Sequence, residues 1–278
     1  MLDVLSVLLR AAAFMLLFQA TGAVIFLRLF DRDLTRSRPF IELLARAAAG
    51  AAILFVTAHQ LLEPARMAGE LSGVLDFSLQ QMALMSSNGV AFGLRLLGLG
   101  LILIGGRRSA GLLGVLSVVV SFVVTGHTAV HPDRAWLLPL LLAHVLIVAF
   151  WFGSFWPLLL VVAREAAQGA ARVVAGFSRL AVGLVLLIPV AGLGIAWALL
   201  PGLAALRQPY GELLISKVAL FGIVMIFAAL NKQRLGPALA REEPRAPARF
   251  RASVLAELVL VCLILAVTAV MTALFSPE

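Results

Sequence analysis

The chain has little charge, a single cysteine and none of the common motifs of nucleotide-driven or hydrolytic enzymes. Charged residues fill 13% of its 278 positions, and 62% are hydrophobic. Soluble domains average roughly 45–50% apolar residues, so a soluble globular fold is excluded. Cys262 lies inside an apolar segment and has no second cysteine to pair with. It forms no intrachain disulfide and says nothing of redox compartment. No P-loop, Cys-x-x-Cys or His-Glu-x-x-His is present. These are the patterns that cradle phosphates, cycle thiols or hold catalytic zinc. An ATP-driven pump or a hydrolase is not expected, nor an enzyme of any class. The first residues, Met1-Leu-Asp-Val4, lack the basic start of a signal peptide. The first apolar segment is therefore read as a retained helix.

Long apolar runs are what the sequence does have. Mean hydropathy is +1.07, and stretches near the roughly 20 residues needed to cross a bilayer recur along the chain. Hydrocarbon offers no partner for backbone N–H and C=O, so each run must be a helix. The reading is an all-α integral membrane protein, one domain over residues 1–278. Eight spans are expected: 4–27, 40–62, 88–105, 111–130, 136–162, 175–200, 212–230 and 252–275. The formal net charge of +8 does not mean nucleic acid, because the basic residues are sorted by loop. Of 22 Lys and Arg, 16 lie in or beside the connections after spans one, three, five and seven. Only Arg66, Arg134 and Arg207 lie in the connections between. This is the positive-inside pattern. It places both termini outside and the basic loops in the cytoplasm. The long basic connection from Asn231 to Arg251 is a topology determinant that can touch anionic headgroups. The outer connection 63–87 repeats Leu71, Val74, Leu75, Leu79 and Met82 at helical spacing and is expected to hold a short amphipathic helix.

All four histidines fall on the predicted outer side. His59 is near the outer end of span two. His127 and His131 end span four at i, i+4, although Pro132 biases His131 towards a turn. His144 is eight residues into span five, roughly 12 Å deep. A deep polar side chain in lipid is costly and a functional candidate by default; the plainer alternative is a hydrogen bond to a neighbouring helix. Imidazole suits copper, zinc and haem iron, and thioethers select Cu(I). Met67, Met82, Met85 and Met271 share the histidine side. Methionine is also ordinary apolar filler.

Two cations sit within spans at that end. Arg95 lies about two turns into span three, and Lys217 about one and a half turns into span seven. Lys217 has Glu212 near in sequence and can snorkel outwards; Arg95 is harder to place. Neither suits a bare cation pathway, whereas haem propionates would welcome both. Glu257 is expected near the inner end of span eight, and Glu42 is expected to pair with Arg46. No run of carboxylates, histidines or methionines continues across the membrane.

Thr125-Gly126-His127, then His144 with Trp151-Phe-Gly153-Ser154 seven residues on, resemble the CopD/PcoD copper-resistance membrane proteins. So do Phe177-Ser178-Arg179-Leu180-Ala181, Tyr210-Gly211 with Lys217, and Asn231-Lys-Gln-Arg-Leu-Gly-Pro237. The resemblance is best over 111–275. Ser154 stands where the family pattern Trp-x-Gly-Gly has its second glycine. The resemblance implies eight inner-membrane helices and copper moving from periplasm to cytoplasm, often beside a periplasmic CopC-like copper-binding protein. The family is also similar in layout to haem-b membrane cytochromes, with His127 and His144 on adjacent antiparallel spans.

The first expectation is therefore copper import, homeostasis or resistance. Its ligands would be His59, His127, His131 and His144, with Met82 and Met85 as capture residues, and Arg95, Lys217, Trp151 and Tyr210 as further polar groups in the membrane. The alternatives are a b-type haem protein carrying electrons and a docking subunit whose partner binds at 63–87.

Overall fold

A computed structural model describes residues 1–200 and 202–275, with every side chain among them except that of His127. The described chain is helical. Its α-helices are α1 (Leu2–Phe30), α2 (Arg38–Ala68), α3 (Phe77–Met85), α4 (Ser87–Gly105), α5 (Ser109–Val120), α6 (His127–Val130), α7 (Arg134–Arg164), α8 (Ala167–Val185), α9 (Leu187–Leu199), α10 (Pro209–Leu230), α11 (Gly236–Ala240) and α12 (Ala246–Leu274). Seven helical runs are long and apolar enough to cross a membrane. The chain is a multi-pass membrane protein.

The expected fourth span differs. Residues 111–130 do not form one continuous crossing. Helix α5 has 12 residues, about 18 Å at 1.5 Å per residue, too short for a hydrocarbon core of about 30 Å. A turn follows, and the four-residue α6 completes the segment. Gly126 ends the turn at φ 84° and ψ −179°, a conformation essentially restricted to glycine. Phe122, Thr125 and Gly126 line an internal cavity. Irregular backbone is tolerated at membrane depth where it lines such a space.

Other breaks also have local causes. Pro189 has no N–H to give the Val185 carbonyl, and α8 ends at Val185. The stretch after α10 is not a loop: a π turn, Asn231–Leu235, leads into α11. Pro237 follows that turn by two residues and cannot donate either. In the 63–87 connection, α3 starts at Asp76, whose carboxylate accepts from the Ser78 and Leu79 amides.

The two ends of the bundle are tied differently. At one end, Arg10 donates to the Thr272 carbonyl at 2.7 Å, and Arg66 lies 3.7 Å from Asp3. The start of α1, the end of α2 and the end of α12 therefore meet. At the opposite end, Arg107 bridges Asp31 at 3.1 Å and Glu42 at 3.6 Å. Glu42 thus pairs with Arg107 rather than with Arg46, one turn away. Glu165 accepts there from the Thr35 and Ser37 hydroxyls and from the amides of Thr35, Arg36 and Ser37. Partial burial pushes its pKa up, but the hydrogen bonds outweigh burial and hold it at about 2.

Helices α1 and α7 cross at Gly22 and Gly153. A Cβ on Gly22 would stand 2.6 Å from the Gly153 Cα and closer still to the Ala149 carbonyl oxygen. Gln19 Nε2 fastens the crossing by donating to the Gly153 carbonyl at 3.1 Å. Without a hydrophobic drive between helices in lipid, such close backbone approach supplies much of their association.

Two predictions follow from this packing. Gly22→Ala and Gly153→Ala should each lower stability by about 1–3 kcal/mol through overpacking, read as a lower thermal transition in detergent. Glu165→Gln should destabilise at neutral pH and lose its effect in acid. The pKa is depressed on folding, so the wild-type contribution is complete above about 4.5 and disappears as pH falls to about 2. Parallel melting curves across that window test this, and a mutational difference that does not change with pH would contradict it.

Candidate functional site

A cavity of about 670 Å³ opens among α1, α2, α4, α7, α9, α10 and α12, at the end where the termini meet. Its wall is mostly apolar. Phe14, Phe18 and Phe122 form one aromatic side, with Phe18 and Phe122 stacked at 5.3 Å. Trp151, 4% exposed, stands edge-on to Phe221 at 6.0 Å. Tyr210 and the buried Met271 also line it.

His59 and His144 both face this space, and their surroundings differ. Arg10 Nε donates to His59 Nε2 at 3.4 Å, and the Ser6 hydroxyl lies equally near. Glu63 is 3.7 Å from the same nitrogen. Its Nε2 lone pair is therefore occupied. His144 uses its other nitrogen: Nδ1 donates to the Ile188 carbonyl on α9 at 3.2 Å. A carbonyl only accepts, so the neutral ring carries its proton on Nδ1 and keeps a free lone pair on Nε2. This outer hydrogen bond is the arrangement that orients ligating histidines. Gly192 lies beside the ring; a Cβ there would touch His144 Cε1 at 3.7 Å. The plain role of His144, bonding a neighbouring helix, and a ligand role use different nitrogens of the same ring.

The remaining expected ligands are elsewhere. His131 lies beyond α6 in extended backbone, as Pro132 suggests. Its Nδ1 accepts from the Asp133 amide at 3.1 Å, and it does not line the cavity. Met82 and Met85 sit on α3 at 60% and 75% exposure, also away from the cavity wall. The His127 side chain lies outside the described part. Among the described residues, no three His, Cys, Asp or Glu side chains gather as a metal site.

Positive charge is the cavity's second property. Arg10, Arg95 and Lys217 line it, with Glu63 as the one acid among its lining residues. Arg95 Nε donates to the Ser121 hydroxyl at 3.1 Å, and its guanidinium lies 5.1 Å from the Phe122 ring centre. The broken helix thus supplies both partners of Arg95. Lys217 faces the cavity rather than pairing with Glu212. Arg10 and Glu63 escaped the sequence reading as site residues. The signal was there in Ser6 and Arg10, spaced i, i+4 on α1 near the level of His59.

Residues 171–271 match the family model for copper resistance protein D, CopD. This stretch belongs to the CopD family. The CopD region begins within α8 and runs almost to the end of α12, narrower than the 111–275 resemblance. It contains Lys217, Asn231, Glu257 and Met271, while the four histidines precede it. No curated protein and no solved structure matches the chain. Over that stretch the chain is similar to copper-resistance membrane proteins.

Lys217 in the CopD region yields a prediction. Its charge is carried in a cavity that holds one acid against three cations. Lys217→Met should raise the stability of the ligand-free protein by about 1–3 kcal/mol, because an ionised group in a helix interior is costly. Thermal unfolding in detergent measures this. A lower transition temperature would mean that Lys217 is compensated in the fold.

Proposed function

We propose that this protein accepts copper at the histidine end of the bundle, on the periplasmic face, and passes it towards the cytoplasm. The observation that carries the proposal is His144, which lines the cavity with Nδ1 held by the Ile188 carbonyl and Nε2 without a hydrogen bond among the described residues, in a chain that matches CopD over 171–271. Met271 offers a thioether on the same wall, and His127 lies on the α6 segment beside it. Imidazole with thioether suits Cu(I). The three cations of the wall also repel a monocation half as strongly as a dication, which favours Cu(I) over Cu(II). His131, Met82 and Met85 stand outside the cavity and serve capture at the mouth. His59 would join the ligands only after Arg10 moves from its Nε2. The exposed methionines of α3 are a fitting contact for a periplasmic CopC-like donor. Periplasmic placement of this end, and of both termini, rests on the positive-inside pattern.

A second reading has its own observation. Arg10, Arg95 and Lys217 around an apolar cavity suit a group with an apolar body and carboxylate arms, and His144 suits its iron. Haem b would suit that donor chemistry: His144 would hold its iron, and Arg95 and Lys217 would pair with its propionates. When bound, it would supply one-electron chemistry.

Metal content separates the two. Protein purified in detergent, loaded with Cu(I) and washed, should carry near-stoichiometric copper. His144→Ala should lower copper affinity by about tenfold or more, whereas Met82→Leu with Met85→Leu should slow loading and leave the final content unchanged. Iron with a Soret band, in place of copper, would overturn the copper reading in favour of haem.

A further inference from the structure

At the opposite end of the bundle, three oxygen-bearing side chains are buried between α10 and α12. Glu257 is 3% exposed, Ser253 7% and Asn231 8%. Ser253 and Glu257 are spaced i, i+4 on α12 and share one face. Asn231 stands where α10 passes into the π turn, a type of irregularity frequent at functional sites. Its Nδ2 donates to Glu257 Oε1. Asn231 Oδ1 and Ser253 Oγ are shut off from solvent and have no partner. Buried polar atoms are almost always satisfied, so two orphans beside one buried carboxyl call for an explanation.

The charge surroundings narrow it. Helices α1, α7, α10 and α11 and the π turn all pack on α12. Their titratable groups towards this end are Arg28, Arg164, Lys232 and Arg234, and α11 has none. On α12 itself they are Arg249, Arg251 and Cys262. Among the described residues, none of these forms an ion pair with Glu257; its one polar partner is Asn231. The carboxyl has no fixed counter-charge, and all the free donors here are oxygens. Oxygen ligands suit hard cations and leave Cu(I) to sulfur and imidazole.

We propose that Glu257, Asn231 and Ser253 form a proton-binding site at the basic-loop end, loaded and emptied as copper crosses the bundle. The coupling to copper rests on the transport reading above; the proton site does not. The trio can hold either state. As carboxylate, Glu257 accepts from Asn231 Nδ2, the arrangement seen here. As acid, it donates its O–H to Asn231 Oδ1 once the amide turns over. The Ser253 hydroxyl, unpartnered here, is a further donor that a carboxyl oxygen of either state can accept. The step forms one O–H bond on the Glu257 carboxylate with a proton from water at the loop end. Release reverses it, and no electrons move.

The test has two arms on the full-length protein. In the first, pH-difference infrared spectra of copper-free protein should show a carboxylic-acid C=O band that is absent in Glu257→Gln and displaced in Ser253→Ala. Persistence of the band in a folded Glu257→Gln variant would overturn the site. So would a midpoint that moves with sodium at fixed pH, which would mark a sodium site. If Glu257→Gln fails to fold, Ser253→Ala decides: an unmoved band overturns the proposal. In the second arm, liposomes loaded with a pH dye are given Cu(I). Wild type should move protons as copper enters, and Glu257→Gln should not, with its copper content at the cavity unchanged. Copper entry without proton movement in wild type overturns the coupling. Failure of wild type to bind copper at all overturns the transport reading, while the infrared arm still decides the proton site.

Discussion

A backbone surrounded by hydrocarbon has to bond to itself, and the architecture of this chain follows from that requirement. Seven helical runs meet it by unbroken i→i−4 bonding or by breaks with a proline beside them. The segment after Arg108 meets it differently. Its helix stops at Val120, and the turn after it is placed against an internal space rather than against lipid. That turn presents Ser121 and Phe122 to Arg95, which has no other hydrogen-bond or ring partner among the described residues. The irregular backbone and the buried cation therefore share one solution, in which the cavity is the condition for both. Where α1 crosses α7, the opposite device operates: glycines remove side chains so that two backbones meet without space between them.

The cavity's charge explains why its two visible histidines are not equivalent. Arg10 has to find acceptors, and it takes the Thr272 carbonyl and His59 Nε2. That occupation makes His59 part of a polar clasp holding α1, α2 and α12 together near Glu63. His144 faces a carbonyl instead of a cation, so its ring is oriented and its second nitrogen left open. One histidine serves cohesion at rest, and the other is presented to the space. Arg95 and Lys217 add a field that favours anionic groups and lowers the tolerance for a doubly charged ion.

Much of this was legible in the sequence. Apolar run lengths located seven of the eight expected spans, because lipid enforces helix wherever such a run occurs. Pro132 signalled that His131 would leave the helix. In 63–87, Leu71, Val74 and Leu75 fall in a 3₁₀ turn and Leu79 and Met82 on the separate helix α3, so the five do not share one helix. The break in the fourth span was not legible, since Ser109–Val130 holds no proline and no Asp, Glu, Lys or Arg, and periodicity does not report a cavity. Nor was the engagement of His59 by Arg10. Ser6 and Arg10 sit on the right face of α1, but only packing places that face opposite α2. Glu42 illustrates the same limit: Arg46 is near in sequence, yet the loop carrying Arg107 reaches it first.

The two ends of the bundle carry donors of opposite kinds. Nitrogen and sulfur donors gather at the end where the termini meet, on His144, His59 and Met271. Oxygen donors gather near the basic loops, on Asn231, Ser253 and Glu257. Among the described residues, no chain of either kind links the ends. Irregular backbone adjoins both sets: the Val185–Leu187 break lies directly before the carbonyl that holds His144, and the π turn begins at Asn231. Both belong to the CopD region, while the histidine they serve lies outside it. The matched stretch thus supplies these interruptions of the helix, and the helices before it supply the imidazoles.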